Sequence, residues 1–150
     1  MKKIFLIFAV VFSLSYLFIS NNFALHIFSL VSGGEVRFYC GEKNDLPLEI
    51  KNGQSFIYSC DADNATNFSM NLKGCFGFSV HTTKNNIDLE KLLASVNILR
   101  TEVVEGYELL YGLVPGLVFS TFINNQKINL QIAVQSDNVV LGSPIILGDF

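Results

Sequence analysis

A chain of 150 residues that is 50% apolar, with a mean hydropathy of +0.41, is one folded domain by length and neither disordered nor fibrous by composition. Lys2 and Lys3 are the only charges before residue 32, so the formal net charge of −3 divides into +2 on that leader and −5 on the remainder. The basic residues of the remainder are scattered singly among thirteen acids, which excludes an electrostatic nucleic-acid binder.

Met1-Lys2-Lys3 precedes an apolar run from Ile4 to Ile19, the charged and hydrophobic regions of a secretory leader. Small residues for a signal peptidase occur at Ala24 and in Val31-Ser32-Gly33, so cleavage is expected after Ala24 or near Gly33. Left uncut, Ile4 to Val31 is long enough to span a hydrocarbon core of about 30 Å, with Lys2 and Lys3 on the cytoplasmic side. The chain therefore divides into 1–31, a signal peptide or hydrophobic anchor helix, and 32–150, an exported domain. That domain is either secreted or held at the outer face of the cytoplasmic membrane, and membrane contact is confined to residues 4–31.

Past Ser32-Gly33-Gly34, read as a linker, Glu35 to Cys40 is strand-like, and Leu46–Lys51 and Gln54–Ser59 flank Asn52-Gly53, a pair suited to a tight hairpin turn. Asp61 is placed to cap a helix running to Lys73, with Gly74 as its stop. Phe76 to Thr82 is a strand. Leu89, Leu92, Leu93 and Val96 recur at helical spacing, with Asn85 or Asn86 as the expected cap. Each of the two helices is apolar on one side only, so both are expected on one face of a sheet.

From Ile98 the pattern is strand-like throughout. Ile98–Val104 and Tyr107–Tyr111 pair across Glu105-Gly106. Leu117–Ile123, Lys127–Gln135 and Asn138–Gly142 read as an antiparallel meander, with Ile128, Leu130, Ile132 and Val134 inward and their neighbours outward. Pro144 confines Ser143 to Leu147 to an edge strand or extended tail. The fold class is α+β: an antiparallel sheet with two short helices on one face.

Residues Ile128-Asn129-Leu130-Gln131-Ile132-Ala133-Val134, followed by Val140-Leu141-Gly142-Ser143-Pro144-Ile145-Ile146 and the terminal Phe150, resemble the end of a family of small exported proteins from Gram-positive, endospore-forming-type bacteria. That family is labelled TATA-box-binding-like for its fold. Tyr111-Gly112-Leu113-Val114-Pro115 is similar to its tyrosine-proline segment upstream of the asparagine-leucine-glutamine strand. The resemblance implies a saddle-shaped antiparallel sheet backed by helices, and carries over no catalytic residue.

Cys40, Cys60 and Cys75 all fall in the exported part, where a disulfide is permitted and an odd count leaves one thiol over. Cys40 and Cys60 end neighbouring strand-like segments and are the expected pair, against the alternative of three isolated thiols. With His81 their spacing holds no C-x-x-C pair, so no metal site is expected. Cys75 and His81 lie about 20 Å apart along one strand, too far for a nucleophile pair. No phosphate loop, calcium loop or Gly-x-Ser-x-Gly elbow is present, and no cofactor is expected. Lys127, Asn129, Gln131 and Gln135 read as a polar binding face for an extended peptide or polysaccharide. The expected function is a non-enzymatic interaction module of the bacterial envelope, binding an envelope protein or cell-wall component. The alternative is an envelope hydrolase using a carboxylate pair from Asp61 and Asp63, or from Glu102, Glu105 and Glu108.

Overall fold

The computed structural model describes residues 24–47 and 50–147; the apolar run from Ile4 to Ile19 lies outside the described residues. In chain order come helix α1 (24–29), strands β1 (Glu35–Cys40), β2 (Ile50–Asn52) and β3 (Ser55–Asp61), and helix α2 (Ala65–Ser69). They are followed by β4 (Cys75–Thr83), helix α3 (Leu89–Ser95), β5 (Asn97–Val104), β6 (Tyr107–Leu113), β7 (Thr121–Ile123), β8 (Gln126–Ile128), β9 (Leu130–Gln135) and β10 (Asn138–Ser143). The protein is mixed α+β. Eight strands form one sheet in the order β2-β3-β1-β4-β10-β9-β6-β5, every neighbour antiparallel, and β7 pairs β8 separately.

Turn chemistry sets much of this register. Glu105-Gly106 and Asn124-Asn125 close two-residue hairpins with positive φ at both positions, as expected of primed turns. One turn sits one residue away from its expected place. Gly53 and Gln54, rather than Asn52 and Gly53, join β2 to β3, while Ser136-Asp137 joins β9 to β10 between the expected strand ends.

The helices share one face of the main sheet. Ile27, Phe28 and Val31 from the start of the described chain, Ala65 from α2 and Leu92 from α3 join Phe38, Tyr58, Val80, Ile132 and Leu141 in one buried cluster. Phe28 meets Phe38 and Phe78 edge-on at centroid distances of 5.9 and 5.1 Å, fastening α1 to β1 and β4. Leu30 O accepts from Asp88 N, and Val31 bridges Ile87. Residues 24–31 are therefore part of the folded body. Of the hydrophobic helix expected over 4–31, the described part is the short α1. No described helix is long and apolar enough to cross a membrane.

Local signals explain the helix ends. Leu89, Leu92, Leu93 and Val96 bring α3 onto the sheet as their spacing requires, and Asp88 rather than an asparagine caps it, accepting from Lys91 N at 3.2 Å. Asp61 makes no side-chain cap; it is the last residue of β3, opposite Glu35. The single helix expected from Asp61 to Lys73 is a 3₁₀ turn, Ala62–Asn64, followed by the five residues of α2.

Candidate functional site

Among the described residues no helix lies on the other face of the main sheet. Cross-strand register sets Asp61, Glu35 and His81 side by side across β3, β1 and β4. The next row holds Arg37, Ser79, Gly142 and Gln131 across β1, β4, β10 and β9. Part of this face is covered: beyond β10, the tail at 144–147 folds back across it, and Ile145 and Ile146 join Leu109, Tyr111, Ala133 and Val140 in a second apolar cluster. Gly142 and Gly77 let the tail come close, since a Cβ on Gly142 would lie 2.3 Å from Ile146 N, and one on Gly77 2.7 Å from Ser143 O.

The four residues expected to form an open binding face do not do so together. Asn129 sits at the break between β8 and β9 and is buried; its Oδ1 accepts from Val114 N at 2.8 Å, and its Nδ2 donates to Val114 O at 2.7 Å. Gln131 is also buried, and its Oε1 accepts from Ile146 N at 3.0 Å. Gln131 thus receives an extended peptide segment, but that segment is the protein's own tail. Lys127 is exposed on the small β7-β8 hairpin, and Gln135 is half-buried at the end of β9. The signal for this closure was the interior-strand Gly142, which marks a close backbone approach.

Around His81 the polar groups are linked. Its Nε2 lies 3.1 Å from Ser79 Oγ, which lies 3.1 Å from Tyr39 OH, and Tyr39 OH donates to the carbonyl of Leu147. A serine and a histidine in contact suggest a nucleophile and its base. Ser79, however, is 0% exposed and closed off by Tyr39 and the tail, so substrate has no approach to it. Burial, and then the Arg37 guanidinium, lower the His81 pKa below its ordinary value of 6.5, with Glu35 opposing. On its open side His81 borders a hollow of about 340 Å³ with Thr83, Asn86, Tyr107 and Asn138. Glu35 and Asp61 are neighbouring carboxylates that the sequence did not pair, but Glu35 is committed to Arg37 Nε at 2.5 Å. Glu102, from the other acid cluster, accepts from Tyr111 OH and pairs with Arg100. Among the described residues no three His, Cys, Asp or Glu side chains are grouped to hold a metal ion.

The disulfide joins Cys40 to Cys75, and Cys60 is the free thiol. This corrects the expected Cys40–Cys60 pairing. In the antiparallel β1-β3 ladder the end of one strand faces the beginning of the other, so Cys40 lies opposite Phe56 and Cys60 opposite Val36. Across the other side of β1, Cys40 falls in register with Cys75 at the start of β4. Burial, with Asp61 and Glu35 nearby, pushes the Cys60 thiol up to about 11, so it holds almost no thiolate at neutral pH.

On the helix-bearing side an apolar cleft of about 300 Å³ opens where α1 begins. Leu25, Phe28, Phe38, Phe78, Leu117 and Phe119 line it. Met70 and Val118, also lining it, are 68% and 51% exposed. Compared with known protein families, curated proteins and solved structures, the chain matches none.

Proposed function

We propose that the chain is a non-enzymatic interaction module of a bacterial envelope, secreted or held at the outer face of the membrane by the apolar residues before Ala24. The observation that carries this reading is the cleft beside α1. A small domain gains by covering apolar side chains, and a cleft with aliphatic and aromatic walls and an exposed Met70-Val118 rim is the kind of surface that an apolar partner segment fills. Met suits such a surface, because its unbranched side chain adapts to the segment laid against it. The partner in this reading is another envelope protein.

Two measurements test it. A C-terminal fusion to a reporter active only outside the cytoplasm is expected to be active, and a fusion to a cytoplasm-only reporter silent; the reverse pattern removes the extracytoplasmic reading. A photo-cross-linking residue at Val118 in the full-length chain is expected to trap a discrete envelope partner in intact cells, and Met70→Lys to abolish the product. The same product from position 105, in the β5-β6 turn at the far end of the sheet from Cys75, would remove the cleft from the proposal.

The second reading, a hydrolase with a carboxylate pair, is favoured by the Glu35-Asp61 register beside His81. It requires that Glu35→Gln and Asp61→Asn each abolish release of reducing ends from purified cell wall.

A further inference from the structure

Among the described residues the outer edge of β5, the last strand of the main sheet, has no partner strand. An unpaired strand turns alternate backbone N–H and C=O groups outward, a template on which another strand can hydrogen-bond. Edges left in water are commonly protected by like charges, proline or a bulge; this edge, Asn97-Ile98-Leu99-Arg100-Thr101-Glu102-Val103-Val104, has no proline and no like charges, and its one bulge, between Ile98 and Arg100, lies toward its start. It holds one cation and one anion, and Val103 is 78% exposed.

We propose that β5 pairs antiparallel with β5 of a second copy of this chain, about a two-fold axis at Thr101. The charges select the register. With Thr101 opposite itself, Arg100 faces Glu102 of the second copy, and the two-fold repeats the pair. Arg100 and Glu102 already share an ion pair within the chain and lie on the same side of the sheet, opposite Tyr111 and Leu109. The four side chains of the dimer therefore alternate in sign around the axis. Centring the pair on Glu102 or on Arg100 sets like charges face to face, and the registers between oppose neither charge to its complement. In this register Val103 flanks the axis on the face opposite Arg100 and Glu102. The bulge between Ile98 and Arg100 falls outside the three central pairs and leaves them regular. An isologous contact of this kind closes on itself as a dimer, continuing the sheet from one copy into the other.

The test uses the purified full-length chain in detergent, with Cys60→Ser as background. Residues opposite each other on antiparallel strands have Cα atoms about 4.5–5.5 Å apart, within the range a disulfide bridges. Mild oxidation of Thr101→Cys is expected to give a covalent dimer at least about tenfold more abundant than Glu105→Cys, which this register holds well away from its own copy. Arg100→Glu in the Thr101→Cys chain is expected to lower that dimer about tenfold, and the exchange Arg100→Glu with Glu102→Arg to restore it. Arg100→Glu also breaks an internal ion pair, so Val103→Lys serves beside it: it is expected to cut the dimer without changing the melting temperature of the protomer. Equal cross-linking at positions 101 and 105, or no response to either the charge reversal or the lysine, overturns the proposal.

Discussion

Asn129 illustrates how one side chain can change its meaning between sequence and fold. Alternation with Ile128, Leu130 and Ile132 turns it outward on a half-buried strand, yet the strand breaks there, and the amide holds the backbone at Val114 in a two-way bracket. Asn129→Ala leaves a buried N–H and a buried C=O without partners, each costing about 1–3 kcal/mol. Denaturant unfolding is expected to register a loss of about 2–4 kcal/mol for Asn129→Ala, against less than about 0.5 kcal/mol for the exposed Lys127→Ala. Equal effects would place Asn129 back on an open face. His81 makes a pH-dependent contribution whose sign follows from its surroundings. Its folded pKa lies below the ordinary 6.5, so the unfolded chain binds the proton more readily than the folded one. The stability from keeping it neutral is complete above that ordinary value and is lost as pH falls through the interval down to the folded pKa. Melting temperatures at pH 7.5 and 5.5 are expected to differ less in His81→Gln than in the unaltered protein.

At the scale of elements, what could be read from sequence was what local chemistry decides. The helical spacing of Leu89, Leu92, Leu93 and Val96 and the Glu105-Gly106 turn draw on residues close in the chain, and each is present; the alternation over Lys127–Gln135 is not, because the segment breaks at Asn129 and β9 is buried on both faces at Gln131 and Ala133. What could not be read depends on distant partners. The Cys40–Cys75 bridge follows from β4 lying beside β1, and the burial of Gln131 follows from where the tail goes after Pro144. A turn displaced by one residue at Gly53 has the same origin, since Asn52 and Gln54 are both tolerable beside the glycine and only the opposing strand decides between them. The tail itself is open to test. Gly142→Ala places a methyl group against the backbone of Ile145 and Ile146, which cannot retreat while Gln131 holds Ile146 N. Overpacking of this kind costs about 1–3 kcal/mol, and displacement of the tail is the way to relieve it. Hydrogen exchange at the Ile146 amide is expected to quicken at least about tenfold while β1 and β3 keep their protection. An unchanged Ile146 amide would mean that the tail is not held by this close approach.

For the molecule as a whole, the place where the folded body begins bears on what any processed form must contain. Composition places the division at residue 31, because apolar residues run to Val31 and charges begin at Glu35. Burial places it earlier: Ile27, Phe28 and Val31 are 0%, 4% and 5% exposed, and they pack with β1, β4 and α3 in the main core. Apolar residues of a leader and of a core are chemically the same, so hydropathy passes across the junction without a mark. The two expected cleavage positions then have different consequences. A cut near Gly33 removes three buried apolar side chains, each contributing about 1.5–3 kcal/mol, from a domain whose net stability is of the order of 5–15 kcal/mol. A cut after Ala24 leaves all three in place. Chains beginning at Leu25 and at Gly34 are therefore expected to separate clearly in thermal unfolding, the first melting cooperatively and the second showing no cooperative transition at 25 °C or above. If the leader is processed in cells, the N-terminal sequence of the released protein is expected to begin no later than Ile27. A released form beginning at Gly34 that still melts cooperatively would show that α1 is dispensable to the fold.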